Sequence, residues 1–226
     1  MRRTGWLMWC DLYLIADTGQ VPRARLADVV ARAIAGGVTA VQLRDKSATA
    51  SEMLALARDL RACTRTARVP FLVNDDLDLA LAADADGVHL GPEDMPLAAA
   101  RARVPAAFLV GFSAGTADEA REAERHAASY LGVGAAYATR TKGDAGAPIG
   151  PAGIAAVRAV SRLPLIAIGG ITVDRVPAVC AAGADGVAVA RAILLADNPE
   201  SAARTFRGAL TAAHAAAVSR GAAAHA

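Results

Sequence analysis

Aromatic residues make up only 4% of this chain, and its three cysteines, Cys10, Cys63 and Cys180, form neither a CxxC pair nor a Cys/His cluster. That pattern excludes a disulfide scaffold and a zinc ribbon, and it fits unpaired thiols in a reducing compartment. Charge of one sign is concentrated nowhere. The formal net charge is +2 and no basic stripe is visible, which argues against a nucleic-acid partner. No apolar run is long enough to span a bilayer. The segment Gly5–Cys10 behind Arg2-Arg3 mimics a signal peptide for a few residues, but Asp11 interrupts it. The expectation is a cytoplasmic protein that binds neither membrane nor nucleic acid.

What is abundant is small aliphatic side chain. Of 226 residues 54% are hydrophobic, mostly alanine, valine and leucine. Short apolar runs alternate with helical patterns throughout. The strand candidates are Leu12–Ala16, Ala40–Arg44, Phe71–Asn74, Gly87–Leu90, Leu109–Ser113, Tyr130–Gly134, Leu165–Ile168 and Gly186–Ala190. Between the first two, Leu26, Val29, Val30, Ala33 and Ile34 share one helical face, bracketed by Pro22 and Gly36-Gly37. Thr49-Ala-Ser-Glu52 and Thr116-Ala-Asp-Glu119 fit capping boxes that open helices. Continuous apolar strands, each followed by a helix, imply a parallel sheet with right-handed crossovers. An open dinucleotide-binding sheet would need G-x-G-x-x-G after the first strand, and Asp17-Thr18-Gly19-Gln20 does not supply it. Eight such units predict a (β/α)8 TIM barrel. With glycine and proline scattered and no linker, the chain reads as a single domain over 1–226, its core at about 11–212 and Gly221–Ala226 a frayed tail.

In such a barrel the active site lies at the carboxyl ends of the strands. The residues there are Gln42, Arg44 and Lys46 after the second strand, Asn74-Asp75-Asp76 after the third, Gly91-Pro92-Glu93-Asp94 after the fourth and Ser113 on the fifth. A long segment after the sixth carries Thr139, Thr141 and Lys142; the last two strands end at Gly169-Gly170 and Ala190-Arg191. Asp75 and Asp94, from adjacent strands, suit one hard cation such as Mg²⁺, which takes one or two carboxylates plus phosphate oxygens and water. Arg44, Lys46 and Lys142 suit a pyrophosphate of about three negative charges. Gly169-Gly170, before a helix opened by Thr172, suits a second phosphate. Two anion sites on one rim point to phosphorylated small molecules as partners. Asp76 and Asp78 read instead as helix-start residues, Glu93 as a rim ion-pair partner, and His89 as a satisfied interior histidine. The segment Ala138–Gly150, rich in glycine and without periodicity, is expected to act as a lid.

The runs Val41-Gln-Leu-Arg-Asp-Lys46, Val73-Asn-Asp-Asp76 and Asp86-Gly-Val-His-Leu-Gly-Pro-Glu-Asp94 together resemble thiamine phosphate synthases. Gly111-Phe-Ser-Ala114, Thr139-Arg-Thr-Lys142, Ile168-Gly-Gly-Ile171 and Gly183-Ala-Asp-Gly-Val187 extend the resemblance, in order, from about Leu12 to Phe206. It implies a transferase that joins hydroxymethylpyrimidine diphosphate to thiazole phosphate, by departure of pyrophosphate and capture of a pyrimidine-methyl cation. By position, Asp75 and Asp94 would hold Mg²⁺, while Arg44, Lys46, Asn74, Ser113 and Lys142 would hold the pyrophosphate. Gln42 would face the pyrimidine; Thr139, Thr141, Gly169, Gly170, Ala190 and Arg191 would take the thiazole phosphate. The family is usually dimeric, which leaves a homodimer as the implied assembly.

Three positions depart from the resemblance. The family often has His at Gly115, Pro at Ala138 and Ser at Arg191. The first departure bears on the competing reading, a thiazole tautomerase, which resembles this fold but uses a histidine after the fifth strand. A non-catalytic phosphate-binding barrel is the other alternative, and an eroded rim would favour it.

Overall fold

A computed structural model describes residues 9–139 and 147–223. Its eight parallel strands close into a barrel in the order β1 to β8. They are β1 (Leu12–Asp17), β2 (Ala40–Arg44), β3 (Phe71–Asn74), β4 (Gly87–Leu90), β5 (Leu109–Ala114), β6 (Tyr130–Val133), β7 (Leu165–Ile168) and β8 (Gly186–Val189). Between them run α1 (Arg23–Ala35), α2 (Ala50–Ala67), α3 (Leu77–Ala82), α4 (Leu97–Ala102), α5 (Ala117–Arg125), α6 (Gly150–Val160) and α7 (Val176–Ala181). After β8 come the single turn α8 (Arg191–Leu194) and the long α9 (Pro199–Ala223). The strands lie within a residue of those expected. β1 runs on to Asp17 because Asp17 pairs with Arg44, and β5 to Ala114 because Ala114 pairs with Val133. The last helix reaches Ala223, through residues expected to fray, and 224–226 lie outside the described residues.

Local signals explain the helix starts. Thr49 and Thr116 each form a full capping box, with Glu52 and Glu119 respectively. Asp76 accepts from the Leu79 N–H at the start of α3, as a helix-start acid should. No disulfide joins the three cysteines. Among the described residues, no helix is long and apolar enough to cross a membrane.

Strand alternation splits the core in two. Leu12, Leu14, Val41, Leu43, Val73, Val88, Val110, Leu131, Leu165 and Val187 face the helices and form the larger apolar layer. Tyr13, Ile15, Ala40, Leu72, Tyr130, Ile166 and Ala188 face inward and fill the barrel. The large inward rings fit because nearby strands present glycine. A Cβ on Gly111 would sit 2.1 Å from the Tyr130 ring, and one on Gly132 would sit 2.9 Å from the His89 ring.

Candidate active site

A cavity of about 710 Å³ opens where the strands end. Gln42, Arg44, Lys46, Asn74, Asp75, Asp94, Ser113, Thr139, Gly169, Gly170, Ala190 and Arg191 all line it, as does Glu93. In a closed ring of eight, β3 stands across from β7. The cationic and acidic cluster therefore faces the paired glycines across the mouth. Thr141 and Lys142, and with them most of the expected lid, lie outside the described residues.

On the β2 side one carboxylate holds Arg44 and another braces the loop of Lys46. Arg44 donates to Asp17 Oδ2 at 2.6 Å, and both side chains are largely buried. The same carboxylate accepts from the Gly19 N–H, 2.8 Å away. Lys46 follows Asp45, whose fully buried carboxylate braces the loop: Oδ1 accepts from the Ser47 and Ala48 N–H groups and Oδ2 from Arg23. Burial alone would raise the Asp45 carboxyl. Hydrogen bonds from Arg23, Thr18 and Ser47 outweigh it and hold the group well below the usual carboxylate range.

The two rim aspartates are set by tight turns. Asp75 adopts φ 66°, a left-handed conformation that Asp tolerates better than most residues. Its N–H donates to the His89 carbonyl at 2.8 Å, and the next N–H folds back to Asn74 at 2.8 Å. Asp94 Oδ2 accepts from the Gly91 N–H at 2.6 Å, so this side chain closes its own turn. Each offers carboxylate oxygens to the cavity it lines. Among the described residues no cluster of three His, Cys, Asp or Glu forms a protein cage for a metal. Two carboxylates in one cavity with Arg44 and Lys46 would suit Mg²⁺, which keeps water and phosphate oxygens in its shell; they do not suit a closed zinc site.

Across the mouth, Gly169 and Gly170 take φ 96° and 62°, and a Cβ at Gly170 would strike the Ala138 carbonyl at 2.6 Å. Only glycine suits that turn. The helix expected to begin at Thr172 starts as a 3-10 turn, Val173–Arg175, before α7. Arg175, not foreseen from the sequence, lines the cavity and donates to the Gly170 carbonyl at 2.6 Å, with its guanidinium 4.4 Å from the Tyr137 ring centre. Arg191 lines the cavity too and donates to Gln20 Oε1 at 2.8 Å.

Beneath the mouth runs a line of polar side chains that crosses the barrel interior. Gln42 Nε2 donates to the Tyr13 hydroxyl at 2.9 Å, and the Tyr13 and Tyr130 hydroxyls meet at 3.0 Å. His89 Nδ1 lies 2.9 Å from the Tyr130 hydroxyl, and His89 Nε2 lies 2.9 Å from Ser113 Oγ. His89 is thus satisfied on both ring nitrogens, as expected. Burial raises both phenols far above their ordinary value, which keeps them protonated. Neither tyrosine stood out in the sequence; each read as one more apolar strand residue.

Residues 12–193 match the family model described as thiamine monophosphate synthase. A thiamine-phosphate synthase of Moorella thermoacetica is 47% identical over 201 residues, covering 89% of this chain and 96% of the relative. One from Natronomonas pharaonis is 49% identical, covering 88% and 94%. Among solved structures, a thiamine phosphate pyrophosphorylase from Pyrococcus furiosus superposes with TM-score 0.83 at 36% identity, covering 92% of this chain and 98% of that one. A 3-hexulose-6-phosphate synthase, at 19% identity and TM-score 0.66, shares the fold.

Proposed function

Since the chain belongs to the thiamine monophosphate synthase family, we propose that it is the transferase that couples 4-amino-5-hydroxymethyl-2-methylpyrimidine diphosphate with 4-methyl-5-(2-phosphoethyl)thiazole. The products are thiamine phosphate and pyrophosphate. One observation carries this reading: a single cavity has a cationic and acidic wall suited to a diphosphate and, facing it, a glycine turn suited to a phosphate.

The chemistry follows from the residues. Arg44, Lys46, Asn74 and Ser113 bind the diphosphate and stabilise the charge it gains as the methylene C–O bond breaks and the electron pair leaves with it. Asp75 and Asp94 would hold Mg²⁺, which when bound supplies further charge neutralisation to that leaving group. The cation left on the pyrimidine methylene is captured by the thiazole nitrogen lone pair, forming the C–N bond. Gln42 orients the pyrimidine, and Thr139, Gly169, Gly170, Ala190 and Arg191 seat the thiazole phosphate so that the nitrogen faces the methylene. No nucleophile or general base from the protein is required.

A proton-shuttling isomerase fits less well. Among the described residues His89 is the one histidine lining the cavity, and both its nitrogens are engaged. At Gly115 the N–H simply donates to Glu119. The test is direct: both phosphorylated substrates with Mg²⁺ should yield thiamine phosphate, and chelating the metal should stop it. Turnover unchanged by chelation would remove the ion from this account.

A further inference from the structure

The line Gln42–Tyr13–Tyr130–His89–Ser113 has a direction. An amide nitrogen carries protons only, so Gln42 Nε2 must donate and the Tyr13 oxygen must accept. Tyr13 has one proton of its own, and the partner left for it is the Tyr130 oxygen. Tyr130 therefore passes its single proton to His89 Nδ1. A neutral imidazole that accepts at Nδ1 carries its proton on Nε2, and that proton reaches Ser113 Oγ. Ser113 thus accepts from inside the barrel, and its own proton is left to point into the cavity it lines.

We propose that this line is a proton-ordered relay that fixes the Ser113 hydroxyl as a donor to the diphosphate, with Tyr13, Tyr130 and His89 as positioning residues. The sign matters. Were the relay to run the other way, Ser113 would donate to His89 and turn lone pairs toward an anion. A hydroxyl whose proton is aimed before the substrate arrives needs no reorientation as charge develops on the leaving group. The arrangement also explains why an aliphatic barrel holds two buried tyrosines next to Gly111 and Gly132, the positions that make room for the Tyr130 and His89 rings. Spending its nitrogen on Tyr13 leaves Gln42 with Oε1, an acceptor suited to an amino group on the substrate ring. The identity of the anion rests on the function proposed above; the direction of the relay does not.

The first test is the ¹⁵N spectrum of the His89 side chain in the full-length protein. The relay requires the Nε2–H tautomer, with Nδ1 unprotonated; an Nδ1–H tautomer reverses the direction and overturns the proposal. The second compares Tyr130→Phe, Ser113→Ala and the double variant for binding of inorganic pyrophosphate with Mg²⁺ and for turnover. Loss of one hydrogen bond to a charged group predicts a fall of about ten- to a hundredfold for either single change. The double variant should fall no further than Ser113→Ala alone, because Tyr130 acts through that hydroxyl. Multiplicative losses would mean that Tyr130 only fills space, and the relay would be dropped. Should Tyr130→Phe fail to fold, the tautomer of the unaltered protein still decides.

Discussion

Asp17 and Arg44 stand opposite each other in register at the ends of β1 and β2, and their 2.6 Å ion pair is largely shielded from water. The carboxylate thereby sets the guanidinium at the wall where the diphosphate is expected. A buried pair stripped of one partner loses about 3–5 kcal/mol, because the other charge is left unpaired. Asp17→Ala should therefore lower the unfolding midpoint sharply. An anion in the cavity can compensate part of that loss, so pyrophosphate should raise the midpoint of the variant more than that of the unaltered protein. Equal shifts would show that Arg44 does not reach the anion.

The rim aspartates separate cleanly only with the right substitutions. Alanine at Asp94 removes the bond to Gly91 along with the charge, and alanine at Asp75 must hold a φ of 66°. Asparagine keeps an accepting oxygen at Asp94 and tolerates the left-handed turn at Asp75. Asp75→Asn and Asp94→Asn should each cost about a hundredfold in turnover, the usual loss for one transition-state stabiliser, with stability nearly unchanged. Activity within a few-fold of the unaltered enzyme at saturating Mg²⁺ would take that aspartate out of the site.

Asp45 links the site to acid stability. Its carboxyl is held below its ordinary value by Arg23, Thr18 and Ser47, so the stabilisation is fully present above the unfolded pKa of about 3.9 and fades as pH falls toward the folded value. Asp45→Asn should cost on the order of 2 kcal/mol at neutral pH through lost charge-assisted bonds. The difference from the unaltered protein should shrink steadily on acidification below roughly pH 4. Denaturant titrations at several pH values measure it. A gap independent of pH would mean that the hydrogen bonds, not the charge, brace the loop carrying Lys46.

Much of this molecule is legible in one dimension. Val41, Leu43, Val73 and Val88 announce parallel strands because both faces of such strands are buried, and the two Thr/Glu capping boxes mark the helices that follow. The rim residues are legible for a related reason: the barrel fixes which end of every strand carries chemistry, so Asn74, Asp75 and Asp94 could be read off as strand-end residues. The supports behind them could not. Tyr13 and Tyr130 are 117 positions apart and touch only because β1 and β6 look into the same narrow interior. Asp17 fell just past the expected end of its strand, and its pairing with Arg44 is what extends the strand. Arg175 lies beyond the glycine turn that it braces, at a spacing no motif records.

The coupling itself is tested most directly by product stoichiometry. The protein is mixed with the pyrimidine diphosphate, the thiazole phosphate and Mg²⁺, and thiamine phosphate and pyrophosphate are quantified together. The account predicts equal amounts of the two, formed only when both substrates are present. No thiamine phosphate, together with efficient isomerisation of a thiazole carboxylate phosphate, would contradict it and assign the cavity to proton transfer instead.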